Sequence, residues 1–106
     1  MTIEQYIRQL ESSFLPDKAA GKRAVLQYVF TGRETGVCHA VIEGGAIHAA
    51  SGRHPAPTVT VEADIDLWTR IVRYDVDGLL AYQEGLIRVT GDVETLIESD
   101  TWFRHD

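Results

Sequence analysis

The first hydrophobic residues of the chain recur with the spacing of an amphipathic helix. They are separated by steps of four, three and four: Ile3, Ile7, Leu10 and Phe14. Thr2 and Gln5 have the spacing of a capping box, in which each side chain bonds to the other residue's backbone. Pro16 cannot continue a helix because it lacks an N–H donor. The pattern predicts a helix over residues 2–15.

Three segments rich in β-forming residues follow, at 24–31, 37–43 and 46–51. Gly44 and Gly45 can supply the two positive φ angles of a tight hairpin, which would pair Glu43 with Ala46. A five-residue loop would pair Thr31 with Val37. With these registers one face of the sheet is apolar, and it comprises Leu26, Tyr28, Phe30, Cys38, Ala40, Ile42, Ile47 and Ala49. The opposite face is mixed, and it comprises His39, Val41, Glu43, His48 and Ala50.

The second half of the chain alternates between strand and helix signals. Residues 58–63 alternate as a strand, and Asp64 can cap a helix over 65–73. A short helix is predicted after Asp77, a strand over 86–90 and a last helix from Val93 towards Phe103. The element order α-β-β-β-β-α-α-β-α predicts an α+β fold. We expect a twisted, mostly antiparallel five-stranded sheet covered by helices, in one domain over residues 1–106.

Composition narrows the classes of partner. The 106 residues are 44% hydrophobic and carry a net charge of −6, which argues against nucleic acid and, less strongly, against anionic membranes. The single cysteine, Cys38, allows no intrachain disulfide and favours a reducing compartment. Residues 1–10 lack the pattern of a secretory signal, no apolar run approaches the roughly 20 residues of a bilayer span, and the last residues are not a peroxisomal tripeptide. A cytoplasmic location is therefore expected, with at most transient membrane contact.

The sequence gives little support for an enzymatic function. It contains no G-x-S-x-G elbow, Walker loop or G-x-G-x-x-G fingerprint. Cys38 and His39 are neighbours, but successive side chains on a strand point to opposite faces. Acidic pairs at 64/66 and 75/77 are better explained by helix capping and turn formation. No catalytic residue, metal or cofactor is expected.

The mixed sheet face has two further interpretations. His39 and His48 lie diagonally across the predicted hairpin, and with Glu43 they form a partial zinc ligand set. A solvated or interface surface fits these residues better than a metal site. Since Val41 shares the face, it could also support a homodimer.

Three stretches resemble the sterol carrier protein 2 domain, also called the sterol-binding domain. They are "AVLQYVFTGRETGVCHAVIEGGAIHAASG" at 24–52, "PTVTVEADIDLWTRIV" at 57–72 and "GLLAYQEGLIRVTGD" at 78–92, of which the last is the most specific. The resemblance extends over nearly everything from Phe14 to Ser99. The resemblance implies an apolar tunnel between sheet and helices that accepts fatty acyl, phospholipid, sterol or isoprenoid chains. Members often carry a glutamine where Glu84 stands, and this carboxylate could orient a ligand head group.

The leading hypothesis is a small, non-enzymatic lipid-binding protein that holds an apolar chain in this tunnel; whether it also transfers the chain is left open. The alternative is a non-enzymatic accessory protein that homodimerises through its sheet and carries no ligand. A small metal-dependent enzyme using His39 and His48 is a remote third. The predicted ligand-binding residues come from the apolar sheet face and the helices opposite: Tyr28, Phe30, Ala40, Ile42, Trp68, Val72, Leu80, Tyr82, Gln83, Glu84, Ile87, Leu96 and Trp102.

Overall fold

The computed structural model of the protein describes residues 1–105, in which helices and strands follow the predicted order. The elements are α1 (Ile3–Ser13), β1 (Ala24–Thr31), β2 (Gly36–Glu43), β3 (Ala46–Ser51), β4 (Val59–Asp64), α2 (Ile65–Val72), α3 (Gly78–Gln83), β5 (Arg88–Gly91), α4 (Val93–Ser99) and a 3₁₀ turn (Asp100–Trp102). Within these residues no helix is both long and apolar enough to cross a bilayer. The α+β class is confirmed.

The five strands form one sheet in the order β3-β2-β1-β4-β5. Strands β1 and β4 are parallel, and the other neighbouring pairs are antiparallel. The face of the sheet that carries Gln27 and His39 is the outer sheet face. The loop at 52–58 crosses this face from edge strand β3 to the far side of β1, and β4 is therefore parallel to β1. The backbone N–H of His54 donates to the side chain of Gln27 at 2.8 Å, which ties this loop to the sheet. The mostly antiparallel sheet is as predicted.

Strand register agrees with the predicted faces but not with every predicted pair. Glu43 pairs with Ala46, and the hairpin glycines have φ angles of 61° and 74°, as a tight turn of this type requires. The predicted pairing of Thr31 with Val37 is wrong, because Val37 pairs with Val29. The five-residue loop begins one residue earlier than expected, which shifts the register by two. An even shift leaves every side chain on its predicted face.

Helix α1 packs on β2 and β3 and begins with the predicted capping box between Thr2 and Gln5. Its most buried positions are Ile3, Tyr6 and Leu10, whereas Ile7 and Phe14 are only partly buried. The stripe is therefore rotated towards Tyr6, a residue that the hydrophobic spacing did not include. Helices α2 and α4 pack against β4 on the same side of the sheet.

Three predicted boundaries are wrong near residues that close helices. Helix α1 ends at Ser13 and not at residue 15, since the backbone of Phe14 is extended and forms a β-bridge with Phe103. The fifth strand begins at Arg88 and not at residue 86, because Leu86 completes the end of α3. The backbone N–H of Leu86 donates to the carbonyl of Ala81 at 2.9 Å, and that of Gly85 donates to Tyr82 at 3.1 Å, which is a Schellman motif. These bonds leave Leu86 outside the sheet.

The last helix ends at Ser99, not near Phe103. The hydroxyls of Ser99 and Thr101 donate to the carbonyls of Leu96 and Glu98, and the backbone N–H of Asp100 donates to Ile97, three residues back, as in a 3₁₀ turn. The 3₁₀ turn places Trp102 in the core, and Phe103 then forms a β-bridge with Phe14. This contact anchors the end of the chain to the end of α1.

Candidate functional site

An apolar cavity of about 370 Å³ lies between the helices and the β1–β4–β5 side of the sheet, and it is partly open to solvent. This volume lies in the range of ligand pockets, about 300–1,000 Å³. Its walls are formed by Tyr6, Gln9, Leu10, Ser13, Tyr28, Trp68, Ile71, Val72, Tyr74, Gly78, Leu79, Tyr82, Ile87, Val89, Val93, Leu96, Ile97, Ser99, Asp100, Phe103, Arg104 and His105. Every helix therefore contributes to the wall.

Three buried aromatic residues form the inner end of the cavity. The ring of Tyr6 meets that of Tyr28 edge-on at 5.1 Å, and Tyr28 lies 5.8 Å from Trp68. The indole N–H of Trp68 donates to the Tyr6 hydroxyl at 2.9 Å. Burial raises the pKa of both phenols, so they remain neutral. This end of the cavity offers apolar ring surface and no charge.

The outer end of the cavity carries apolar side chains that are largely exposed. Tyr74, Leu79, Tyr82 and Ile97 line the cavity and are also among the exposed large hydrophobic residues. Helix α3 supplies two of them and buries Ala81 alone among its six residues. Exposed apolar surface that continues into a cavity is typical of a ligand entrance.

A polar cluster lies on one side of this outer end. The Tyr74 hydroxyl donates to Asp100 Oδ2 at 2.7 Å, and His105 Nε2 lies 3.1 Å from Asp100 Oδ1. The Tyr74 ring also packs against the His105 ring at 4.9 Å. Partial desolvation and the bond to Asp100 raise the pKa of Tyr74 to about 12, so its hydroxyl keeps its proton.

The thirteen predicted ligand-binding residues fall into three groups. Tyr28, Trp68, Val72, Tyr82, Ile87 and Leu96 lie on the cavity wall. Phe30, Ala40, Ile42 and Trp102 lie in the closed core and not on that wall. Leu80, Gln83 and Glu84 lie on the exposed side of α3 or at its end, outside the cavity. Ligand binding by these residues stays a prediction.

Several wall residues were missed at the level of the sequence. Gln9 and Ser13 follow Tyr6 and Leu10 at helical spacing, so the rotated stripe of α1 would have included them. Asp100 and His105 come together because the 3₁₀ turn folds the last residues back towards α2. No spacing rule marks that reversal.

The outer sheet face has a different arrangement from the cavity side. His39 Nδ1 lies 2.8 Å from the carbonyl of Gly52, and its ring packs against His54 and not against His48. Within residues 1–105 no three potential ligands are grouped to hold a metal ion. Cys38 faces the core, where burial raises the pKa of its thiol to about 12. A thiol with this pKa is unreactive near neutrality.

Solved structures provide the comparison with known proteins. The chain matches part of the stereoselective inverting sec-alkylsulfatase Pisa1 from Pseudomonas sp., with a TM-score of 0.88 and 22% identity over 97% of the chain, but it spans only 16% of that enzyme chain. Sterol Carrier Protein 2 Like 2 from Aedes aegypti matches with a TM-score of 0.67 and 19% identity, over 92% of this chain and 90% of the other. Palmitated SCP2L2 from the same species matches with a TM-score of 0.69 and 18% identity, over 100% and 99%.

Neither a protein-family model nor a curated protein matches the sequence. The structural matches are nevertheless close in fold and cover nearly the whole chain. They confirm the predicted sterol-carrier-like fold.

Proposed function

We propose that this protein binds the alkyl chain of a lipid or related amphiphile in the cavity, without catalysing a reaction on it. The observation that carries the proposal is the cavity itself, about 370 Å³ of space whose walls are mainly aliphatic and aromatic. A chain of this size could otherwise have used these side chains to complete its core. Transfer of the ligand between membranes would use the same cavity.

Two of the structural matches support this proposal through their names. One of the Aedes aegypti proteins is described as palmitated, and the Pseudomonas enzyme is named as an alkylsulfatase. Both names refer to molecules with an alkyl part. An alkyl-binding role for the shared fold is consistent with both.

Burial of an alkyl chain supplies enough free energy for useful affinity. A C16 chain that is fully buried would gain roughly 12 kcal/mol, at about 0.8 kcal/mol per methylene. Association and ordering remove several kcal/mol of this gain. Micromolar binding needs about 8 kcal/mol, so the margin is sufficient. Because burial has no direction, we expect the protein to accept chains of varied structure.

The test of the proposed binding replaces valine with tryptophan at two positions, one inside the cavity and one outside it. Val93 lines the cavity, whereas Val41 lies on the outer sheet face, and both are partly buried. In Val93→Trp the indole would occupy space that the ligand needs. Loss of contact with two methylenes costs about 1.6 kcal/mol, so affinity for a fluorescent fatty acid should fall at least about tenfold. Val41→Trp should bind as the unmodified protein does.

Native mass spectrometry of the same three proteins tests the alternative, a ligand-free homodimer formed through the sheet. Under the proposal, lipid-sized extra mass is removed by organic extraction, and the oligomeric state is the same in all three. A clean apo mass, no binding at tens of micromolar and a dimer that Val41→Trp disrupts would replace the proposal with the accessory role.

A further inference from the structure

The hydrogen-bonding groups on the polar side of the cavity point to the chemistry of the ligand's head. This inference rests on the proposed alkyl binding and concerns which end group the chain carries. Gln9, Ser13, Tyr74, Ser99, Asp100 and His105 lie on the cavity wall. The question is which of their hydrogens and lone pairs remain available to a ligand.

Most hydrogens in this cluster are already donated within the protein. The Ser13 hydroxyl donates to the Gln9 carbonyl at 2.5 Å, and the Ser99 hydroxyl donates to the Leu96 carbonyl at 2.7 Å. A hydroxyl has one hydrogen, so each of these oxygens is left only as an acceptor. The Tyr74 hydroxyl is in the same state, because it donates to Asp100.

His105 is likewise engaged with acceptors. Its Nε2 lies 2.8 Å from the carbonyl oxygen of Asp100 and 3.1 Å from the carboxylate. Its Nδ1 lies 3.3 Å from the carbonyl oxygen of Val72. Any hydrogen on this ring is therefore shared with the protein. Arg104 is on the same wall and is also engaged in an interaction, so it is not a free cation.

Lone pairs, in contrast, remain in excess. A carboxylate can accept about four hydrogen bonds. Within residues 1–105, the carboxylate of Asp100 meets Tyr74 at one oxygen and His105 at the other, and its side chain is 52% exposed. The side-chain amide of Gln9 has no partner among those residues and can either donate or accept. Beside this carboxylate, the hydroxyls of Ser13, Ser99 and Tyr74 therefore keep lone pairs but no free hydrogen.

We infer that the preferred ligand carries a head that donates a hydrogen bond, as the hydroxyl of a long-chain alcohol does. The hydroxyl would donate to a free lone pair of the Asp100 carboxylate. A fatty acid anion has only acceptors at its head, and it would also meet the negative charge of Asp100. The cavity therefore favours the alcohol over the carboxylate of equal chain length.

Three ligands of matched chain length test this inference on the unmodified protein. They are 1-dodecanol, its methyl ether 1-methoxydodecane and dodecanoate, each used below its aggregation threshold to displace one fluorescent alkyl probe at pH 7. The ether keeps the oxygen and removes only the hydrogen. One hydrogen bond corresponds to about a three- to tenfold tighter binding of the alcohol than of the ether. Dodecanoate should bind more weakly than the alcohol.

A pair of variants assigns the effect to Asp100. Asp100→Asn replaces one acceptor oxygen with a donor amide, so the alcohol should lose most of its advantage and dodecanoate should bind more tightly. Asp17→Asn removes the same charge from an exposed residue outside the cavity, and all three affinities should keep their order. If Asp100→Asn does not fold, the ligand series on the unmodified protein still decides the question.

The outcomes separate this inference from the proposed function. Equal affinity for alcohol and ether, or tighter binding of dodecanoate, would overturn the hydrogen-donating head and leave alkyl binding intact. If the fluorescent alkyl probe itself does not bind, the proposed function fails and the inference fails with it.

Discussion

At the scale of single residues, the bond between Trp68 and Tyr6 joins α2 to α1 at the inner end of the cavity. The indole donor and the phenolic oxygen are both buried and lie 2.9 Å apart. Buried donors that lose their acceptor cost more free energy than the bond contributes when it is formed. This pair is therefore a point where the cavity wall is sensitive to a small change.

Replacing Tyr6 with phenylalanine tests this sensitivity. The substitution keeps the ring contacts and leaves the indole N–H of Trp68 without its acceptor, so the free energy of unfolding should fall by about 1–3 kcal/mol. Urea denaturation followed by tryptophan fluorescence measures the change. Tyr82→Phe is the control, because Tyr82 is 39% exposed and makes no side-chain hydrogen bond within residues 1–105. Equal loss in both variants would show that the bond is not responsible.

The residues that sequence reasoning found and missed differ in how they reach the cavity. Trp68 and Leu96 lie on the apolar sides of helices, so periodicity places them correctly. Ile42 satisfies the same apolar pattern yet lies in the closed core, because hydrophobicity does not distinguish a filled space from an empty one. Asp100 reaches the wall through tertiary contacts of the last turn, which no local pattern encodes.

At the scale of elements, α3 is a weakly buried part of the cavity wall. Its six residues bury only Ala81, and Leu79 and Leu80 are more than half exposed. Packing therefore contributes little to this helix, and its two ends are closed by local hydrogen bonds. The Asp77 carboxylate accepts from the backbone N–H groups of Leu79 and Leu80 at 2.9 and 3.2 Å.

Removal of that cap should loosen α3 without unfolding the molecule. An N-cap aspartate contributes about 1 kcal/mol, so Asp77→Ala should make local opening roughly fivefold more frequent. Amide hydrogen exchange in residues 79–84 should accelerate by that factor, while strand amides remain unchanged. Asp75→Ala is the matched control, because the Asp75 side chain makes no hydrogen bond among the described residues. Unchanged exchange in α3 would show that packing, not the cap, maintains the helix.

Element types and most boundaries follow from the sequence, because capping residues and turn glycines act locally. Asp64 caps the helix that it was predicted to cap, and Asp77 and Asp92 cap the two later helices. The errors occur where two elements compete for one residue. Leu86 was assigned to a strand, but the Schellman closure of α3 uses its backbone. Here the local closure of the helix at Gly85, whose φ is 76°, outweighs the strand propensity of Leu86.

At the scale of the whole molecule, one side of the helix-covered face has a filled core and the other side has the open cavity. Strands β2 and β3 pack under α1 in a filled core, whereas β5, α2, α3 and α4 surround the cavity together with one side of α1 and Tyr28 of β1. The tunnel remains a prediction, but the structure does show a filled core on one side and a cavity on the other. A ligand in the cavity would contact mainly the second side.

Bound ligand should therefore change protection unevenly. We expect a saturating alkyl ligand to slow hydrogen exchange in residues 68–105 by tenfold or more at 10 Kd, since stabilisation there is about 1.4 kcal/mol. Peptides of β2 and the β2–β3 hairpin should change by less than twofold if they open independently of the cavity. Mass spectrometry of peptic fragments measures both regions. Uniform protection would show that the two sides open as one unit.

The crossing of the 52–58 loop over the sheet has a consequence for how the chain assembles. The β1–β2 and β2–β3 pairs join neighbours along the chain, but the parallel pair must bring Leu26 beside Val59. Closure of longer loops costs more entropy, so the three-strand meander contains the contacts that form most readily. The walls of the cavity depend on the later, non-local pairing. We therefore expect the binding space to form after the three-strand meander.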